Sequence, residues 1–290
     1  MRTRRSQGNA APVAPRYTTV FFHAHPDDEA LLTGGTMARL AAEGHRVVLV
    51  TATAGELGLA STEMTTSTAL ADVRLDELHT SAGTLGCART VVLGYRDSGG
   101  APGAGSTTDP GFADISVEAA AHRLADVLRE EAADVLTIYD QAGGYGHPDH
   151  VQVHLVGARA AQLAGTRVVL EATVDRRLLQ RALYIGRWFS PRTADFAPSR
   201  FDALFAAPEK ITHRVHVSGF LDQKRAAMRA HRSQTTTDTD IERGLAWMLR
   251  LPGPLYRLAF GREWFIEHGR RPSRRPLDDV LATLRNISGD

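Results

Sequence analysis

The sequence predicts an α/β fold: a Rossmann-like, mostly parallel sheet with helices on both faces and a smaller C-terminal elaboration. Short apolar, β-branched runs alternate with stretches of helical periodicity from Thr18 to Thr173, the alternation expected of a doubly wound sheet. Runs such as His45 to Ala52 (HRVVLVTA) are apolar at successive positions, as in strands covered on both faces. Two turns rich in histidine and carboxylate directly follow predicted strands, where open α/β sheets bind their ligands.

The elements follow in order. Thr18 to Ala24 (TTVFFHA) is the first strand, and a Pro/Asp-rich turn leads into a helix from Ala30 to Ala42 that Gly44 ends. His45 to Ala52 is the second strand, Leu70 to Leu85 a helix, and Arg89 to Leu93 a short third strand. Between Asp97 and Pro110 the chain is dominated by Gly, Pro, Ala, Ser and Thr, which reads as a mobile surface loop near the strand ends. A helix over Val117 to Glu131, a strand over Asp134 to Tyr139, a helix from Pro148 to about Leu163 and a strand over Arg167 to Thr173 continue the alternation. Arg177 to Pro208 is aromatic and basic without a clean period. His213 to Val217 reads as a short strand and Ser218 to His231 as a helix, and there is no internal repeat or heptad pattern.

At 290 residues the chain accommodates one large domain, expected over 18–290, after an N-terminal arm at 1–17 that reads as disordered. The arm opens with three arginines among its first five residues but lacks the apolar run of a secretory signal, and no stretch reaches transmembrane length. The expected compartment is cytoplasmic. With 34 Lys/Arg against 33 Asp/Glu, bulk charge calls for neither nucleic acid nor an acidic membrane as partner. Cys87 is the only cysteine, so a metal site here must be built from histidine and carboxylate.

Two segments supply such ligands: His25-Pro26-Asp27-Asp28-Glu29 after the first strand, and His147-Pro148-Asp149-His150 after the Asp134 to Tyr139 strand and a Gly-rich turn, Gly143 to Gly146. Catalytic zinc takes three ligands from this inventory and keeps a position for water. Adjacent carboxylates at Asp27 and Asp28 repel each other unless a cation lies between them. One of the pair can ligate while the other acts as general base. Pro148 suits the first position of a helix, which makes His147 its cap and puts His150 in the first turn, so these two histidines can also hold separate jobs. Either segment alone is ordinary turn chemistry; two of them at matching strand ends point to a metal site.

In order and spacing, Ala24 to Glu29 (AHPDDE), Gly55 to Gly58 (GELG), Arg74 to Leu78, Tyr95 to Gly99 (YRDSG) and Gly146 to His150 (GHPDH) resemble the PIG-L/LmbE-like de-N-acetylases, as does Lys224 to Gln234, with a weaker echo at Gly261 to Phe265. The resemblance implies a hydrolase that removes an N-acetyl group from an amino sugar of the N-acetylglucosamine type. It implies one zinc ion, with iron or another divalent ion also compatible, held by His25, Asp28 and His150. Asp27 is then the general base. His147 stabilises the oxyanion and protonates the leaving amine, with Asp149 holding its imidazole in the charged form and Tyr145 assisting. Arg74, Asp97 and Glu56 are implied substrate contacts.

Three other histidines read as structural. His23 shares a strand face with His25, His154 lies one helical turn after His150, and His231 sits in the Lys224 to Gln234 segment, with a structural or pocket-lining role. Gly34-Gly35 lacks the GxGxxG context of a dinucleotide site, and the acids beside it would repel a pyrophosphate. Within the same class, an amidase acting on a larger N-acyl glycoside or thiol conjugate fits the same residues, with the Asp97 to Pro110 loop and Arg187 to Phe205 as walls for a bulkier substrate. A non-catalytic sugar- or metal-binding protein fits less well, because every residue the chemistry needs is present.

Overall fold

The computed structural model describes residues 15–57, 67–99, 110–186, 204–235 and 248–287. Among these residues, seven strands form one sheet: β1 (Thr18–His23), β2 (Arg46–Thr53), β3 (Arg89–Tyr95), β4 (Val135–Tyr139), β5 (Val168–Thr173), β6 (His213–His216) and β7 (Arg262–Glu267). Their spatial order is β3-β2-β1-β4-β5-β7-β6. The first five are parallel, and β7 runs antiparallel to both β5 and β6. The chain builds outward from β1 to β3 and then crosses back to lay β4 on the other side of β1. The gap beyond the carboxyl ends of β1 and β4 is therefore the crevice where such sheets bind ligands.

Both faces of the sheet are covered, which explains the unbroken apolar runs. Phe21 and Leu49 point into one core with Met37, Leu40, Leu78, Leu85 and Met228. Their neighbours Val20, Phe22, Val48 and Val50 point into the other, against Leu124, Leu128, Val153 and Val156. Each fully buried side chain of this size contributes about 1.5–3 kcal/mol relative to exposure. Helices α1 (Asp28–Leu32), α2 (Gly34–Ala42), α3 (Ser67–Thr84) and α7 (Leu221–Ala230) serve the first core, and α4 (Val117–Glu130) and α5 (Pro148–Ala164) the second. Among the described residues the other α-helices are α6 (Arg176–Gly186), α8 (Arg232–Thr235), α9 (Gly253–Phe260) and α10 (Ala282–Ile287). Among the described residues, no helix is long and apolar enough to cross a membrane.

The expected single helix from Ala30 to Ala42 is two helices, broken at Thr33, whose φ is −129°. The break is stabilised from far away in sequence. Glu263 of β7 accepts the Gly35 and Thr36 amides at 2.8 Å each, and the Thr36 hydroxyl at 2.5 Å. A buried carboxylate thus caps the amides that start α2, and buried Lys224 of α7 pairs with it.

The weak echo at Gly261 to Phe265 is the start of β7, inserted between β5 and β6, and the aromatic, basic stretch begins with α6. Residues 187–203 of that stretch, 100–109 of the expected loop and 1–14 of the expected arm lie outside the described residues. At the end of the arm, Tyr17 is 5% exposed and packed in the first core.

Candidate active site

The two histidine–carboxylate turns meet at the crevice. The turn after β1 carries His25 and Asp28, and the turn after β4 carries His150 in the first turn of α5; all three are buried. Asp28 Oδ2 lies 3.4 Å from His25 Nδ1 and 3.3 Å from His150 Nε2. The backbone amide of His25 also donates to that oxygen at 3.1 Å, which fixes the turn. His147 joins them: His25, His147 and His150 each present a ring nitrogen within 4.8 Å of the others. A second such group, His25, Asp97 and Asp149, shares His25.

His150 bears directly on a metal. Its ring is 1% exposed and stacks on Tyr139 at 4.2 Å with 4° between the planes, yet neither ring nitrogen makes a hydrogen bond, Nε2 facing only the Asp28 carboxylate at 3.3 Å and Nδ1 facing no polar partner. A buried imidazole left so is costly. Beside it, Asp28 is held well below the usual carboxylate range: burial works against its charge, but His150 and His25 outweigh burial. His25 is raised well above the ordinary histidine value, because Asp149, Asp28 and Asp97 overcome its burial. Carboxylates thus converge on this point from three strand ends, and a divalent cation fits the donors present.

Asp27 stands beside this group in a strained backbone conformation, φ 114° and ψ −32°. For a residue other than glycine such a conformation costs on the order of 1–3 kcal/mol and persists only where the surroundings enforce it. Here Glu29 Oε2 accepts the Asp27 amide at 2.9 Å, and Arg74 reaches the Asp27 carboxylate at 3.2 Å. Burial raises the Asp27 carboxyl to about 6, Arg74 opposing and Asp28 adding to the rise.

Arg74 does not present the open guanidinium expected of a substrate contact. It is 2% exposed and donates to the carbonyls of Gly55 and Pro26 at 2.6 Å each as well as to Asp27. Gly55 has φ +69°, and a Cβ there would sit 2.5 Å from the Arg74 guanidinium carbon, so glycine in the GELG segment is what lets the arginine pass. Glu56 accepts the Asp97 amide at 2.9 Å. Asp97, 4% exposed, turns inward to within 3.4 Å of His25 Nε2.

The expected Asp149–His147 pairing is corrected. The fully buried Asp149 carboxylate accepts from His25 Nε2 at 3.0 Å and from the amides of Ser98 and Ala113 at 3.1 Å each. Its contact with His147 runs the other way: the Asp149 backbone amide donates to His147 Nδ1 at 3.1 Å, the helix cap of α5. That leaves the His147 proton on Nε2. Burial, with His25 and His150 nearby, lowers His147 to about 4, so it is neutral near pH 7. For His25, a carboxylate at Nε2 fixes the ring orientation and leaves Nδ1, 3.4 Å from Asp28 Oδ2, as the nitrogen that could hold a metal.

Several supporting residues escaped the sequence reading. Tyr139 stacks on His150 and shares a 3.1 Å hydrogen bond with His23, whose other nitrogen meets Thr33 at 2.9 Å; His23 is the packed histidine expected. Asp140 closes the Gly143–Gly146 turn by accepting the Ala142 and Gly144 amides, and its place between a strand and a Gly-rich turn was the available signal. Tyr145 stays 54% exposed, its ring 4.9 Å from that of His150. His154 faces away, toward the Tyr139 carbonyl and Glu171. His231, fully buried, bonds Glu29 at 2.7 Å.

The PIG-L family profile, described as GlcNAc-PI de-N-acetylase, matches residues 20–161, which include His25 through His150. A 1D-myo-inositol 2-acetamido-2-deoxy-alpha-D-glucopyranoside deacetylase from Thermobifida fusca is 35% identical, with 88% of this chain and 94% of that one covered. The chain belongs to the PIG-L family. A PIG-L relative of the same name from Streptomyces griseus is 39% identical over 77% of each chain. The fold also matches N,N'-diacetylchitobiose deacetylase from Pyrococcus horikoshii, with a TM-score of 0.58, 23% identity and coverage of 86% of this chain and 83% of that one. As a PIG-L protein the chain is a de-N-acetylase, a hydrolase of an amino-sugar amide.

Proposed function

We propose that the chain hydrolyses the acetamide of a 2-acetamido-2-deoxyglucopyranoside with an inositol-like polyol aglycone, with one zinc ion held by His25, Asp28 and His150. The names of the relatives from Thermobifida fusca and Streptomyces griseus support the substrate class. The observation that carries the metal is His150, buried with neither ring nitrogen in a hydrogen bond and with Nε2 3.3 Å from the Asp28 carboxylate. Bound there, zinc supplies Lewis acidity that acidifies water and polarises the amide carbonyl.

The chain's own residues do the rest. Asp27, ionised above about 6, takes a proton from the attacking water as a new C–O bond forms at the acetyl carbon. Arg74 keeps that carboxylate aimed. His147, neutral and protonated at Nε2, donates a hydrogen bond to the carbonyl oxygen as negative charge develops on it. The C–N bond then breaks, the proton held by Asp27 passes to the leaving nitrogen, and a primary amine and acetic acid result, the acid losing its remaining proton to solvent as acetate. Asp149 holds the ring orientation of His25 throughout. A neutral His147 is a hydrogen-bond donor, so delivery of the leaving-group proton falls to Asp27.

The test is primary-amine release from that glycoside, N-acetylglucosamine and N,N'-diacetylchitobiose, with zinc and iron content measured in wild type and Asp27→Ala. Release fastest from the inositol glycoside, reduced to a small residual rate in Asp27→Ala while the metal stays bound, is expected. No release from any of the three by metal-loaded wild type would overturn the assignment.

A further inference from the structure

The strained Asp27 is held by a relay that reaches into the C-terminal part of the chain. The Asp27 amide donates to Glu29 Oε2 at 2.9 Å. The other oxygen of Glu29 receives Ser81 Oγ of α3 at 2.5 Å and His231 Nε2 at 2.7 Å. Glu29 is fully buried and His231 is 1% exposed, so neither side chain is open to a substrate. His231 sits at the junction of α7 and α8, and that junction is tied down separately: Glu77 of α3 accepts the Ser233 amide at 2.8 Å and its hydroxyl at 2.7 Å. The imidazole is therefore presented to Glu29 from a fixed platform.

We infer that His231 is a positioning residue for the hydrolysis: by fixing the Glu29 carboxylate, it holds Asp27 in the backbone conformation that aims its side chain at the reacting water. The inference deepens the reading of Asp27 as base and rests on it. Ser81 and His231 both donate to one carboxylate oxygen, which fixes the rotation of Glu29 and keeps the other oxygen under the Asp27 amide. With those donors removed, Glu29 is free to turn and Asp27 to relax out of the positive-φ region. Its carboxylate then moves relative to the metal ligand next to it. A displacement of about 1 Å at a catalytic group costs on the order of 100-fold in rate.

The experiment uses zinc-loaded full-length protein: wild type, His231→Leu, His231→Gln, Ser81→Ala, Asp27→Ala and Asp27→Ala/His231→Leu. Amine release from the inositol glycoside gives kcat and KM, and NMR gives hydrogen exchange at the Asp27 amide. In His231→Leu, kcat is expected to fall roughly 10- to 100-fold with KM within about twofold and zinc content unchanged. His231→Gln keeps an N–H donor and recovers most of the rate. On the Asp27→Ala background the His231 substitution adds no further loss, as for residues that act as a unit. The Asp27 amide exchanges about tenfold faster in His231→Leu than in wild type, the sign of a lost acceptor.

Unchanged Asp27 exchange, or a loss that multiplies fully with that of Asp27→Ala, overturns the inference. If wild type turns over no probe, or Asp27→Ala stays active, the base assignment fails, and the exchange rate alone still decides whether His231 holds Asp27. If His231→Leu does not fold, Ser81→Ala and His231→Gln carry the same comparison, because they act on the same oxygen of Glu29.

Discussion

The chemistry of the site turns on two adjacent carboxylates with opposite environments. Asp28 is held low by two imidazoles, while Asp27 is raised to about 6 by burial and by Asp28 itself. Asp27→Asn is expected to lower kcat by about 100-fold or more and leave zinc bound, measured as amine release with metal analysis. Arg74 is the charge that opposes the rise in Asp27, so Arg74→Met is expected to move the acid limb of kcat/KM to higher pH, read from paired pH profiles. His213 allows a cleaner titration, away from the histidine–carboxylate group of the crevice. Its burial, with the Arg270 charge adding, lowers it to about 4. Between pH 4 and 6.5 the unfolded chain binds this proton more readily than the folded one, so stability is present above that window and is lost as pH falls through it. The slope is at most about 1.4 kcal/mol per pH unit, and His213→Gln is expected to flatten it in denaturant titrations at pH 7 and 5. At this scale the sequence was informative about which side chains meet: HPDD and HPDH announce His25, Asp28 and His150, which the structure brings together at the crevice. It was misleading where a side chain's partner depends on chain direction. The family resemblance implied that Asp149 serves His147, whereas the first turn of α5 points that carboxylate at His25.

Among the elements, the parallel strands and their crossover helices were legible because burial on both faces writes continuous apolar runs. Two features were not. The break between α1 and α2 has its cap 228 residues away, at Glu263, beyond the reach of local capping rules. β7 (REWFIE) carries Arg262, Glu263 and Glu267, a charge content that argues against a strand inside a sheet. The charge is tolerated because the Glu263 carboxylate meets Lys224 and the start of α2. Glu263→Ala leaves the Lys224 ammonium buried without a partner and removes the cap. It is expected to destabilise the protein by about 3–5 kcal/mol, measured by denaturant unfolding. Replacing both Lys224 and Glu263 with apolar residues should cost less than that single change, apart from the lost cap.

For the molecule as a whole, the crevice at β1 and β4 gathers Asp27, Asp28, Asp97 and Asp149 around three histidines, an arrangement that favours a cation in the folded state alone. Zinc is therefore expected to stabilise the chelated protein by about 2.7 kcal/mol when free zinc is about 100 times Kd, seen as a rise in Tm. Asp28→Ala and His150→Ala should abolish that increment. The placement of β7 has a different kind of consequence, one of time. A strand near the C-terminus slots between β5 and β6 and supplies the anion that starts α2, only a few residues past the catalytic turn. Until Arg262 to Glu267 have been made, the nascent chain holds two unpaired strand edges and an uncapped helix beside its future active site. Hydrolytic competence should therefore appear late and all at once during synthesis, with the crevice residues that follow the first strand waiting on a strand made much later.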